Sequence, residues 1–139
     1  MKAIWSWIQT AFAAIGGTLG WYLGGLDGFL YALIAFVVVD YITGVLRAIV
    51  EKKLSSRIGA HGIAKKVAIF LVVGIGHLID TYLLGGTSAP LRTAVIFFYI
   101  ANEGVSLLEN ATSIGLPVPE KLKDILAQLH ERADKEDGK

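Results

Sequence analysis

The sequence predicts an all-α integral membrane protein. It would have four transmembrane helices, arranged as two antiparallel hairpins, and a short cytoplasmic amphipathic C-terminal helix. Three observations lead there. The 139 residues are 54% hydrophobic and only 18% charged, against about 45–50% and 25% in ordinary globular chains. The charges gather between apolar blocks instead of repeating along one face of each helix, as they do on soluble helices. Each block is roughly 18–22 residues long, enough for a helix to cross a hydrocarbon core of about 30 Å. A soluble bundle of such helices would leave large apolar patches in water. A membrane barrel would need an alternating pattern that is absent. The chain has no cysteine, which removes disulfides, thiolate metal sites and cysteine nucleophiles. A net charge of +1 makes no field that would call for nucleic acid.

The first block covers about residues 3–23 and follows Lys2 without a further charge. Trp5, Trp7, Trp21 and Tyr22 stand near its ends, where aromatic side chains prefer the membrane–water interface. Gly16, Gly20 and Gly24 recur every fourth residue. Such small-residue ridges let helices approach closely in lipid, here either within one chain or between copies. The block is too long for the apolar core of a cleaved signal peptide and lacks an obvious cleavage site. Gly24, Gly25 and Gly28 mark the turn that follows.

The second block, 29–50, holds Asp40 near its middle. Thr43, Gly44 and Arg47 follow at i+3, i+4 and i+7, on the same helix face. The loop 51–66 is basic, with Lys52, Lys53, Arg57, Lys65 and Lys66. It sets topology, and it can also contact anionic lipid at the inner leaflet.

The third block, 67–84, carries His77, with Asp80 and Thr81 at i+3 and i+4. A metal is conceivable at that spacing, but a satisfied histidine–carboxylate pair is the simpler expectation, and no metal or other cofactor is called for. Gly85, Gly86 and Pro90 form the next turn. The fourth block, 91–108, aligns Arg92, Tyr99, Glu103 and Ser106 on one face that continues to Asn110, with Asn102 beside it. Glu103 lies near mid-depth, so it should be neutral or paired.

Residues 1–118 thus form the membrane domain. Residues 119–139 form the amphipathic helix and charged tail, in which Leu122, Ile125, Leu126 and Leu129 share a face. The tail carries a slight excess of acidic residues and should not bind anionic lipid strongly. Contact between subunits or packing under the bundle are both open to it. With four spans, cytoplasmic termini put every Lys and Arg except Arg92 inside, as the positive-inside rule requires.

Several separated motifs then occur in order: Val39-Asp40-Tyr41-Ile42-Thr43-Gly44; Lys52-Lys53-Leu54-Ser55-Ser56-Arg57; Gly62-Ile63-Ala64-Lys65-Lys66; His77-Leu78-Ile79-Asp80; Arg92-Thr93-Ala94 with Tyr99-Ile100-Ala101-Asn102-Glu103-Gly104; and Glu109-Asn110 with Gly115-Leu116-Pro117-Val118-Pro119-Glu120-Lys121-Leu122. Over roughly residues 35–125 the chain resembles the toxin-secretion/phage-lysis holin family of Gram-positive bacteria and their phages. The resemblance implies a protein of the bacterial cytoplasmic membrane that assembles with copies of itself. It would open a lesion through which a muralytic enzyme or a toxin leaves, without necessarily touching that cargo. It implies no covalent chemistry, and the sequence holds no nucleophile–base pair or phosphate loop.

The residues expected to matter are the polar stripe Asp40, Thr43, Arg47, His77, Asp80, Glu103, Ser106 and Asn110. They would line an opening between subunits or form a polar core within one chain. Two other functions fit part of the pattern. A small proton- or cation-coupled transporter would use Glu103 as its proton site, although no internal repeat is visible. An accessory protein could regulate another holin.

Overall fold

The computed structural model describes residues 1–137, leaving the last two residues of the expected charged tail outside the described region. The chain forms five helices: α1 (Lys2–Tyr22), α2 (Gly28–Val50), α3 (Ser56–Tyr82), α4 (Pro90–Ile114) and α5 (Glu120–Asp137). Their ends follow from local chemistry. The first backbone N–H groups of a helix lack intrahelical partners and take side-chain oxygens instead. Asp27 accepts from the Leu30 N–H at 2.9 Å to start α2. Ser55 does the same for Ile58 at 3.1 Å to start α3. Pro90, which needs no N–H partner, opens α4. Gly115 closes α4 in the left-handed conformation, at φ 100°.

The expectation of four transmembrane helices is corrected. Among the described residues three helices, α2, α3 and α4, are long and apolar enough to cross a membrane. α1 is not among them, because Ser6, Gln9, Thr10, Gly16, Gly17, Thr18 and Gly20 dilute its apolar residues. Two cytoplasmic termini required an even number of crossings, so that expectation loses its basis. The expected pair of hairpins is also replaced. Among the described residues α1 packs only on α3, at its last turn, whereas α4 is the hub that meets α2, α3 and α5. Helix boundaries also outrun the apolar blocks. α3 begins at Ser56 and absorbs most of the basic loop, and α4 continues to Ile114. A helix persists beyond the hydrocarbon wherever its caps allow.

Leu30, Leu33 and Val37 of α2, Ile69 and Val73 of α3, and Ile96 and Ile100 of α4 make the core. Gly76 brings α3 to within van der Waals contact of the α4 backbone at Arg92. Gly74 leaves the notch that the Tyr22 ring fills, and the Tyr22 hydroxyl donates to the Leu71 carbonyl at 2.8 Å. Large apolar side chains on the outward faces, such as Phe29, Val38, Ile42, Leu71 and Ile75, are exposed. They form a belt suited to lipid.

Candidate functional site

Two polar layers interrupt the apolar core. The first is centred on Lys66. Its ammonium donates to Oδ2 of Asp40 on α2 and to Oε2 of Glu103 on α4, joining the three candidate spans. Both carboxylate residues are buried, with Asp40 6% and Glu103 5% exposed. Asn110 Nδ2 donates to Asp40 Oδ1 at 3.1 Å and to Thr43 Oγ1 at 3.1 Å. Thr43 in turn bonds the Val39 carbonyl one turn back, at 2.9 Å. Arg47 reaches the Asn110 side-chain oxygen at 3.5 Å and pairs with Glu51 at 3.2 Å. Gly44 sits beside Asn110, so the amide can lie close against α2. Buried charges persist only when paired and hydrogen-bonded, and this layer meets that condition within one chain.

The layer borders two cavities. One, of about 200 Å³, lies between α2 and α3, with Tyr41, Ile58 and Gly62 on its walls and Asp40, Lys66 and Asn110 at its base. The other, of about 410 Å³, is bounded by Lys65, Lys66, Tyr99, Glu103 and Ser106, and by His130 from α5. α5 folds back along α4, and Leu126, buried at 3% exposure, seats against Gly104.

The second layer closes the other end of the bundle. Asp80 accepts from the backbone N–H groups of Leu91 and Arg92, at 3.0 and 2.8 Å. The buried Arg92 guanidinium donates from Nε to the Leu23 carbonyl at 2.6 Å. Its Nη1 donates to Asp27 Oδ2 at 2.7 Å, and its Nη2 to the Gly25 carbonyl at 2.8 Å. The Arg92 hydrogen bond holds the Asp27 carboxyl below its usual range. With about 1.5 Å per helical residue, the two layers stand roughly 16–21 Å apart, less than the thickness of a hydrocarbon core of about 30 Å.

The structure gathers Asp40, Thr43, Arg47, Glu103, Ser106 and Asn110 of the expected stripe around one centre and separates His77 and Asp80 from them. Three expectations are corrected, and one of two alternatives for the glycine ridge is removed. The His77–Asp80 pair is not formed, because Asp80 caps the free N–H groups of α4, while His77 Nδ1 stands 3.5 Å from Thr81 Oγ1. Arg92 leaves the stripe for the outer clamp. Lys66 turns inward, its side chain only 15% exposed, whereas Lys52, Lys53, Arg57 and Lys65 remain at the surface. Gly16, Gly20 and Gly24 do not make a ridge within the chain. Gly16 has no neighbour within 4 Å, and Gly24 lies in a left-handed turn against Arg92 and His77. The sequence also left His130 unassigned. Its one signal was a position one residue beyond Leu129, at the edge of the apolar face of α5.

Three long apolar helices with charged layers satisfied inside the bundle define a small integral membrane protein with no assembled catalytic centre among its described residues. The family model of the bacteriophage holin family matches residues 17–131, and the chain belongs to that family, which is non-enzymatic. The chain is 37% identical over 118 residues to a probable holin of Bacillus phage phi105, covering 85% of this chain and 86% of that one. An uncharacterised Listeria monocytogenes protein is 42% identical over 132 residues, 95% of this chain and 93% of its own length. A 14.9 kDa Clostridium perfringens protein is 39% identical over 132 residues, with 95% and 99% covered. No solved structure matches.

Proposed function

We propose that this chain is a holin that accumulates in the bacterial cytoplasmic membrane, assembles with copies of itself, and opens a lesion for a muralytic enzyme or a toxin. The observation that carries this reading is the Lys66 layer. Two carboxylates and one ammonium sit deep among three spans, paired with one another within one chain. A monomer sealed in this way can build up in the membrane without leaking ions. The same groups are far better solvated in water, so helices that separate or re-pair between copies would expose a surface that holds a wet opening.

The basic turn after α2 and the basic residues at the start of α3 support a cytoplasmic side for that end of the bundle under the positive-inside rule. Lys52, Lys53, Arg57 and Lys65 are then available to anionic headgroups of the inner leaflet. With three crossings, α5 lies on the cytoplasmic side and α1 on the other.

Timed expression in a bacterium, with and without a muralytic enzyme, tests the proposal. Membrane potential should collapse abruptly, and lysis should follow only when the enzyme is present. Cation flux without collapse would instead mark a transporter. An inert chain that only delays another holin would mark a regulator. Either result would overturn the reading.

A further inference from the structure

α1 presents a question that the holin reading does not answer. It is a helix of 21 residues, about 31 Å long, and none of its residues is buried. Phe12 is 73% exposed and Ile15 59%, so before Tyr22 its apolar surface has no partner among the described residues. That surface is one-sided. At about 100° per residue, Ile4, Ile8, Phe12, Ile15 and Leu19 fall on one face. Lys2, Ser6, Gln9, Ala13, Gly17 and Gly20 fall on the other. α1 is not among the helices long and apolar enough to cross a membrane, and a helix with a one-sided apolar face can instead lie in the plane of the interface.

The attachment of α1 sets the direction of that face. Tyr22 lies in line with Ile4, Ile8 and Ile15, and its ring seats on α3 at Gly74. The C-terminal end of the apolar face of α1 therefore meets α3 beside the lipid-facing belt that includes Leu71 and Ile75. The chain leaves α1 through Gly24 and Gly25, at φ 85° and 100°, directly under the Arg92 clamp that closes this end of the bundle. Trp5, Trp7 and Trp21 mark both ends of the helix, and indoles prefer the headgroup region.

A second copy of the chain is the rival occupant. Close helix packing in lipid uses small residues, yet Gly17 and Gly20 lie on the opposite face from the unpartnered bulky side chains. We propose that α1 lies in the membrane surface at the Arg92 end of the bundle, with Ile8, Phe12, Ile15 and Leu19 among the acyl chains and Gln9, Ala13 and Gly17 toward water.

The absence of cysteine makes a direct test available. Single-cysteine variants of the full chain at each position from 8 to 17 would be spin-labelled in vesicles of phosphatidylethanolamine and phosphatidylglycerol. Accessibility to oxygen and to a water-soluble nickel chelate is then compared. The positions are exposed, so the helical signal should persist, and circular dichroism confirms it. Ile8→Cys, Phe12→Cys and Ile15→Cys should favour oxygen at a constant depth of about 5–10 Å. Gln9→Cys, Ala13→Cys and Gly17→Cys should favour the chelate, giving a period of three to four residues. Depth that rises to the bilayer centre near residue 12 on both faces would show a crossing. Exclusion of both reagents with spin–spin broadening on one face would show packing against a second copy. Chelate access at every position would show a helix in water. Each of these three results overturns the proposal, and none depends on lysis.

Discussion

Lys66→Met is the sharpest perturbation available at the charged layer. Methionine keeps the length and apolar stem of lysine but deletes the ammonium. In the folded chain that ammonium holds two carboxylates from two different helices. Asp40 keeps Asn110 as a donor, so its loss is partial, while Glu103 loses its one ionic partner seen in the structure. The side chains involved are 6–15% exposed, so water recovers little. Breaking a buried pair by removing one member costs about 3–5 kcal/mol, because a charge is left uncompensated. Replacing every member with neutral groups of similar size is often close to neutral.

Lys66→Met should therefore destabilise the purified chain by about 3 kcal/mol or more. Adding Asp40→Asn and Glu103→Gln should restore most of that loss. The assay is reversible unfolding in mixed micelles, followed by circular dichroism, for the single, double and triple variants. A loss below about 0.5 kcal/mol for Lys66→Met, the scale of ordinary surface substitutions, would refute the reasoning. So would a triple variant no more stable than the single one, because the cost would then come from packing and not from charge.

Three further outcomes are expected. A Cβ at Gly104 would lie 2.8 Å from Leu126 and 3.1 Å from Phe36. Gly104→Val should thus lift α5 from α4 at a cost of about 1–3 kcal/mol, and proteolysis between Gly115 and Glu120 should accelerate while the spans stay protected. Arg92→Lys keeps the charge but cannot reach Leu23, Gly25 and Asp27 together, so the thermal midpoint should fall with a loss of about 1–3 kcal/mol. Asp27 has a depressed pKa in the folded chain, caused first by the Arg92 hydrogen bond. The stability it contributes is complete above its ordinary value of 3.8 and is lost as pH falls through the lower folded value. Its side chain is 47% exposed, which limits the effect to less than about 1 kcal/mol. A comparison of Asp27→Asn with the parent chain at pH 7 and below pH 3 should show their stabilities converging at the lower pH.

The polar stripe was legible because period alone places Asp40, Thr43 and Arg47, or Glu103, Ser106 and Asn110, on common faces. Their joint partner was not. Lys65 and Lys66 read alike in a basic loop, yet one helical step of about 100° sends Lys66 into the core and leaves Lys65 outside. Asp80 misled for a different reason. A histidine three residues away is a plausible local partner, but the N–H groups at the start of α4 become available only when α3 and α4 are brought together. α1 misled through length. A run nearly free of charge resembled a span, while its glycines, serine, threonines and glutamine kept it below the hydropathy of a crossing.

Composition, charge placement and ordered motifs by themselves determined a helical membrane protein of the holin family, because the length of an apolar run and the cost of intramembrane charge act on the chain locally. Only the tertiary structure decided that α4 is the hub, that one lysine pairs with carboxylates from two helices, and that α5 folds back over Gly104. Those outcomes depend on contacts between residues distant in the chain, where a rotation of one residue about a helix axis exchanges a lipid-facing charge for a buried one.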